Sequence, residues 1–156
     1  MEPISLEKRI QDPAFGAKLT HLYGQGGAGD ARARCAAVIA GFTKTFESLP
    51  EALFSAPRRT ELGGNHTDHQ HGHVLAAGVD LDILAAAAPN QSGMIRVQSQ
   101  GYPLIVVDLH ELAPKPEEEN TSAALIRGVA ARLSALGCPL QNAGLDAYLV
   151  SNVPGG

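Results

Sequence analysis

Residues 59–73 read Arg-Thr-Glu-Leu-Gly-Gly-Asn-His-Thr-Asp-His-Gln-His-Gly-His, and they carry more chemistry than any other stretch of the chain. Arg59, Glu61, Asn65, His66 and Asp68 supply a guanidinium, two carboxylates, an amide and an imidazole on a segment loosened by Gly63 and Gly64. A carboxylate accepts from two neighbouring hydroxyls, and His and Asn donate or accept. Such a set suits a polyhydroxylated ligand, whose hydroxyls give up water on binding and need replacement partners. Arg59 adds a planar fork suited to phosphate or to developing negative charge. Two other readings stand beside this one. In the first, the side chains only cap backbone groups and each other. In the second, His69, His71 and His73, spaced i, i+2, i+4, share one face of an extended segment beside His66 and Asp68 and hold zinc or nickel.

These residues need elements on both sides to hold them. Upstream, Pro13 divides two short helical patterns within residues 5–23. The glycine-rich stretch 24–30 lacks the Gly-Lys-Ser/Thr of a P-loop and reads as a linker or turn, with Asp30 capping the next helix. From Asp30 to about Leu49, the residues Cys35, Val38, Ile39, Phe42, Phe46 and Leu49 fall on one helical face. Ala52–Ser55 reads as a short strand entering the polar segment 57–73, which is expected to be loop.

Downstream, Val74–Ala88 is nearly continuous Val, Leu, Ile and Ala interrupted by Asp80 and Asp82, and fits a buried strand bent at Gly78 better than a helix, which its alanine run leaves open. Met94–Ser99 and Pro103–Leu109 read as strands around a turn, and 114–120 as a solvated loop. Thr121–Leu136 is a helix with a stripe of Leu125, Ile126, Val129, Leu133 and Leu136, stopped by Gly137. Leu145–Val153 is a last strand, with Leu145, Ala147 and Leu149 alternating against Asp146 and Tyr148. Helices and strands interleave without a regular βαβ rhythm, so the class is α+β, with helices on one side of a mixed sheet.

Composition narrows the partners. The chain has 156 residues, 44% of them hydrophobic, and a net charge of -4 from 12 Lys+Arg against 16 Asp+Glu. It holds no Lys/Arg-rich run, which argues against nucleic acid. It has no apolar run of about 20 residues that could cross a bilayer. No secretory signal pattern opens it. Cys35 and Cys138 sit alone in apolar contexts and suit reduced, buried thiols in a cytoplasmic protein.

The stretch Ala56-Pro57-Arg58-Arg59-Thr60-Glu61-Leu62-Gly63-Gly64-Asn65-His66-Thr67-Asp68 resembles the galactokinase signature A-P-G-R-V-N-L-I-G-E-H-T-D, of the GHMP kinase superfamily. His69-Gln70-His71-Gly72-His73-Val74-Leu75 is similar to its Y-N-x-G-x-V-L continuation. Ser122–Val129 resembles the family's W-x-N-Y-V-K-G-V helix, and Ser151-Asn152-Val153-Pro154-Gly155-Gly156 resembles the opening of S-D-V-P-x-G-x-G-L-S-S-S-A.

The resemblance implies a ribosomal-protein-S5-domain-2-like fold over 30–156, incomplete, after a helical segment 1–29. It implies ATP- and Mg²⁺-dependent phosphorylation of galactose at its anomeric hydroxyl. Arg59 matches the arginine that stabilises the transferring phosphoryl group, His66 the contact to the terminal hydroxymethyl, and Asp68 the acceptor from two ring hydroxyls.

Asn65 stands where the family has a sugar-binding Glu, Arg58 replaces a glycine, and Glu61 replaces an asparagine; these departures bear on which hexose is bound. No nucleotide-binding residue is assigned. Ser99 and Ser122 are the candidates, Ser122 standing where the family has a tryptophan on the adenine side. The resemblance stops where the family's phosphate loop begins, and the catalytic base lies beyond it, so the 156 residues alone are expected to be an inactive piece that self-associates through uncovered apolar surface. A sugar- and nucleotide-sensing relative without turnover and a histidine-cluster metal module are the rival readings.

Overall fold

The computed structural model describes residues 5–64, 71–140 and 143–153. Two helices come first, α1 (Leu6–Arg9) and α2 (Pro13–Phe46). Asp12 caps α2, its side chain accepting from the Ala14 N–H at 2.7 Å, and Pro13 occupies the first turn, where its missing N–H has no helical partner to lose. The glycine-rich stretch is not a linker. A single residue, Gly24, leaves helical geometry at φ 71°, ψ 170°, and the helix resumes at once, leaving Asp30 exposed inside it rather than at a cap. Glycine adopts that positive φ without steric cost, so one position is enough for the kink.

The strands are β1 (Ala52–Gly63), β2 (Leu75–Pro89), β3 (Met94–Ser99), β4 (Ile105–Asp108) and β5 (Leu145–Ser151). They form one sheet in the order β1-β2-β5-β3-β4. All pairs are antiparallel except β3 with β5. A 3-10 turn at Pro116–Glu118 precedes the third helix, α3 (Ser122–Ala135), which Thr121 caps.

The core lies between α2 and the sheet. Ile10, Cys35, Val38, Ile39 and Phe42 pack on Leu84, Ala86 and Ala88, with Phe46, Leu53 and Tyr148 half-buried beside them. Small residues on β2 let the helix approach closely. Gly41 is part of that fit, since a Cβ there would run into the Tyr148 ring. No helix among the described residues is long and apolar enough to cross a membrane.

Four further expectations change. The strand expected over Ala52–Ser55 continues to Gly63, so half of the polar segment is sheet. β1 is an edge strand, with solvent along its outer side, and an edge tolerates polar residues that an interior strand does not. Along α3 the apolar stripe faces outward: Leu125 (70%), Val129 (54%) and Leu136 (62%) are exposed. The buried face is instead Arg127 and Ala130. Arg127 pairs with both Glu118 oxygens, Nε at 2.7 Å and Nη2 at 2.6 Å, and also donates to the Glu111 carbonyl. On β5, Asp146 is not on a solvated face. It is buried, held by Arg96 Nε at 2.7 Å and Nη2 at 2.6 Å and by Asn90 Nδ2 at 2.7 Å. Of the two thiols, Cys35 is buried and Cys138, just past α3, is exposed.

Candidate sugar site

The β1–β2 hairpin carries the chemistry. Its register runs Ala52↔Ala87 through Pro57↔Asp82, shifts, resumes at Arg59↔Gly78, Thr60↔Ala77 and Glu61↔Ala76, and shifts again before Gly63↔Leu75. Within the short regular stretch Arg59 and Glu61 are two residues apart and share one face. Arg59 Nη2 meets Glu61 Oε1 at 3.2 Å. Opposite them are a glycine and an alanine, so no large cross-strand side chain competes for the space. The result is an open cleft of about 930 Å³ lined by residues 57–64 and by Val79 and Leu81.

Gly64 ends this wall at φ 78°, and a Cβ there would strike the carbonyl of His73. The two ends of the intervening segment are therefore drawn side by side at the cleft. Asn65, His66, Asp68 and His69, the remaining sequence candidates, lie outside the described residues. Of the histidine cluster, His71 and His73 are described and exposed. Among the described residues no three His, Cys, Asp or Glu side chains are grouped to hold a metal ion. Ser99 closes β3 and Ser122 opens α3, both at element ends rather than in the cleft.

One cluster was not singled out from the sequence. Asp82, 2% exposed, faces away from water on β2. Arg34 Nη1 approaches its carboxylate at 2.7 Å and Arg34 Nη2 donates to its carbonyl at 3.2 Å. Ser55 Oγ donates to it at 2.6 Å, and the Tyr23 hydroxyl donates as well. Its backbone N–H donates to Asn152 Oδ1 at 2.8 Å. Burial alone pushes the Asp82 carboxyl up, but the hydrogen bonds from Ser55, Tyr23 and Arg34 and the Arg34 charge outweigh it and hold the group below the usual carboxylate range. Burial, followed by the Asp82 hydrogen bond, pushes the Tyr23 phenol up. A signal for this cluster existed. An aspartate in an otherwise apolar run of a central strand must find a cation and donors, or its burial would be prohibitive.

Comparison with known proteins follows the same geography. Residues 40–89, which span the end of α2 and the whole β1–β2 hairpin, match the galactokinase galactose-binding signature. The galactokinase of Lacticaseibacillus casei (strain BL23) is 29% identical over 120 residues, covering 76% of this chain and 31% of the relative. That of Streptomyces coelicolor is 30% identical over 115 residues, covering 74% of this chain and 29% of the relative. The chain thus spans about a third of the length of the curated relatives it matches. Among solved structures, the galactose complex of Lactococcus lactis galactokinase superposes with a TM-score of 0.64 at 22% identity, over 76% of this chain and 31% of that one. The mevalonate kinase of Methanococcus jannaschii superposes with a TM-score of 0.54 at 15% identity, over 67% of this chain and 33% of that one. The chain shares its fold with a part of these two kinases.

Proposed function

We propose, starting from the fact that this chain is a relative of the galactokinases and carries their galactose-binding signature, that it supplies the sugar-binding part of an enzyme phosphorylating galactose at its anomeric hydroxyl with ATP. The observation that carries the reading is the coincidence of the signature with the cleft. Residues 40–89 include every residue lining it. Asp68 accepts from two ring hydroxyls and reads the sugar's configuration, His66 contacts the hydroxymethyl group, and Asn65 adds a neutral amide contact. Arg59 faces the phosphoryl group, where a guanidinium stabilises charge that builds up during transfer. Phosphoryl transfer rests on positioning and charge stabilisation. Mg²⁺ arrives with the nucleotide and is assigned no ligand in this chain, and Ser99 and Ser122 are the candidates on the nucleotide side. The protein is placed in the cytoplasm, where its sugar and ATP are found.

The test is a screen of the full-length protein with ATP and a panel of hexoses. Galactose 1-phosphate is the expected product, and Asp68→Ala is expected to abolish galactose binding in calorimetry. Undiminished turnover by Asp68→Ala would show that the aspartate does not read the sugar. Residues 1–156 alone are expected to turn over no sugar.

A further inference from the structure

We propose that Glu61 is a positioning residue, holding the Arg59 guanidinium in the cleft in the orientation that meets an incoming phosphoryl group; this rests on the reading of Arg59 given above. Arginine carries a long, flexible stem, and the Arg59 side chain is 69% exposed, so packing does little to fix it. Glu61 is the better-anchored member, with its side chain 24% exposed. The pair is built by the strand itself. Positions i and i+2 point the same way only where the register is regular, and the regular stretch here runs over just three residues, 59–61, between two shifts. Gly78 and Ala76, directly across the hairpin, put no large side chain opposite either residue.

Among the described residues lining the cleft, Glu61 is the one carboxylate. It presents its carboxylate to one Nη of Arg59, while the Arg59 side chain as a whole stays 69% exposed. A single Nη2–Oε1 contact at 3.2 Å, rather than a two-pronged one, is the arrangement that keeps the rest of the guanidinium available. The same contact brings a cost in charge, since Glu61 partly offsets Arg59. That cost is tolerable only if orientation matters more than raw positive potential, which is the condition for a group acting on a developing charge at a defined point.

Full-length protein carrying Glu61→Ala, Glu61→Gln or Arg59→Ala would be assayed for kcat and for galactose KM across a salt series, with galactose binding measured by calorimetry. Glu61→Ala is expected to lower kcat by about fivefold, the population that an exposed ion pair sustains. Its galactose KM should stay within about twofold of the unaltered protein, as for a contact acting only at the transition state. Glu61→Gln, which keeps a hydrogen-bond acceptor of the same shape, should fall between. Added salt should lower kcat of the unaltered protein toward that of Glu61→Ala while leaving the variant flat, a response that a purely structural side chain does not give. A kcat unchanged in Glu61→Ala beside a large loss in Arg59→Ala would overturn the positioning role and leave the role of Arg59 standing. A raised galactose KM at constant kcat in Glu61→Ala would overturn it too, making Glu61 a sugar contact. Full activity in Arg59→Ala would bring down both readings.

Discussion

Single residues decide whether the cleft exists. Gly64 sits at φ 78° with the His73 carbonyl where its Cβ would be. Alanine there meets both the strain of a left-handed backbone and a backbone collision, so Gly64→Ala should separate the two ends of the 64–73 segment. The expected outcome is loss of galactose binding in calorimetry with little change in the thermal midpoint, because Gly64 and His73 lie outside the core cluster among the described residues. This residue-level picture was partly legible in the sequence. Arg59 and the following Asn-His-Thr-Asp were evident from their types and order alone. The pairing of Arg59 with Glu61 was not, because residues two apart face together only if the segment is extended, and its polarity argued for loop. Glycine 64 was visible as a loosening residue, yet its positive φ depends on where His73 returns, which is a long-range fact.

At the scale of elements, Asp82 joins pieces that are distant in the chain. Tyr23 lies before the Gly24 kink and Arg34 after it, while Ser55 is on β1 and Asn152 follows β5. Asp82→Asn leaves the Arg34 guanidinium beside a neutral amide in a largely buried site, and breaking such a pair from one side costs about 3 kcal/mol. Urea unfolding should read that loss. The carboxyl titrates below its ordinary value in the folded chain, so its contribution to stability is fully present above the unfolded pKa near ~4 and is lost as pH falls through the lower folded value. Acid should therefore destabilise the unaltered protein more than Asp82→Asn, and the two unfolding curves should converge as the pH is lowered. A second change belongs here. Gly41→Ala forces a methyl against the Tyr148 ring across the α2–β5 contact, and such overpacking costs about 1–3 kcal/mol, to be read from the thermal midpoint. The helical face of α2 was readable because it follows a single period, whereas β2, expected as a buried strand throughout, is exposed along much of Leu75–Asp80 and buried mainly over Leu84–Ala88. The stretch 24–30 reads as a linker because its glycines look like a break all along its length, whereas Gly24 alone carries the departure and the helix runs on.

Across the whole molecule, the outward apolar face of α3 governs behaviour in solution. Leu125, Val129, Leu133 and Leu136 are spaced along one side and exposed, and nothing among the described residues covers them. The periodicity announced a stripe, but it could not say that Arg127 and Glu118 would claim the side facing the protein. Residues 1–156 are expected to associate at high concentration, and Val129→Lys with Leu133→Lys should return the sedimentation profile toward monomer while leaving the unfolding midpoint nearly unchanged. A profile that is monomeric from the outset would remove this expectation. The strand order has a consequence in time. β5 lies between β2 and β3, yet a ribosome makes it after both. During synthesis the β1–β2 and β3–β4 hairpins can each zip locally, but they remain two unconnected ribbons until residues 145–151 emerge and slot between them. Ribosome-bound chains released before that point should show hairpin protection in hydrogen exchange but no protection across the centre of the sheet.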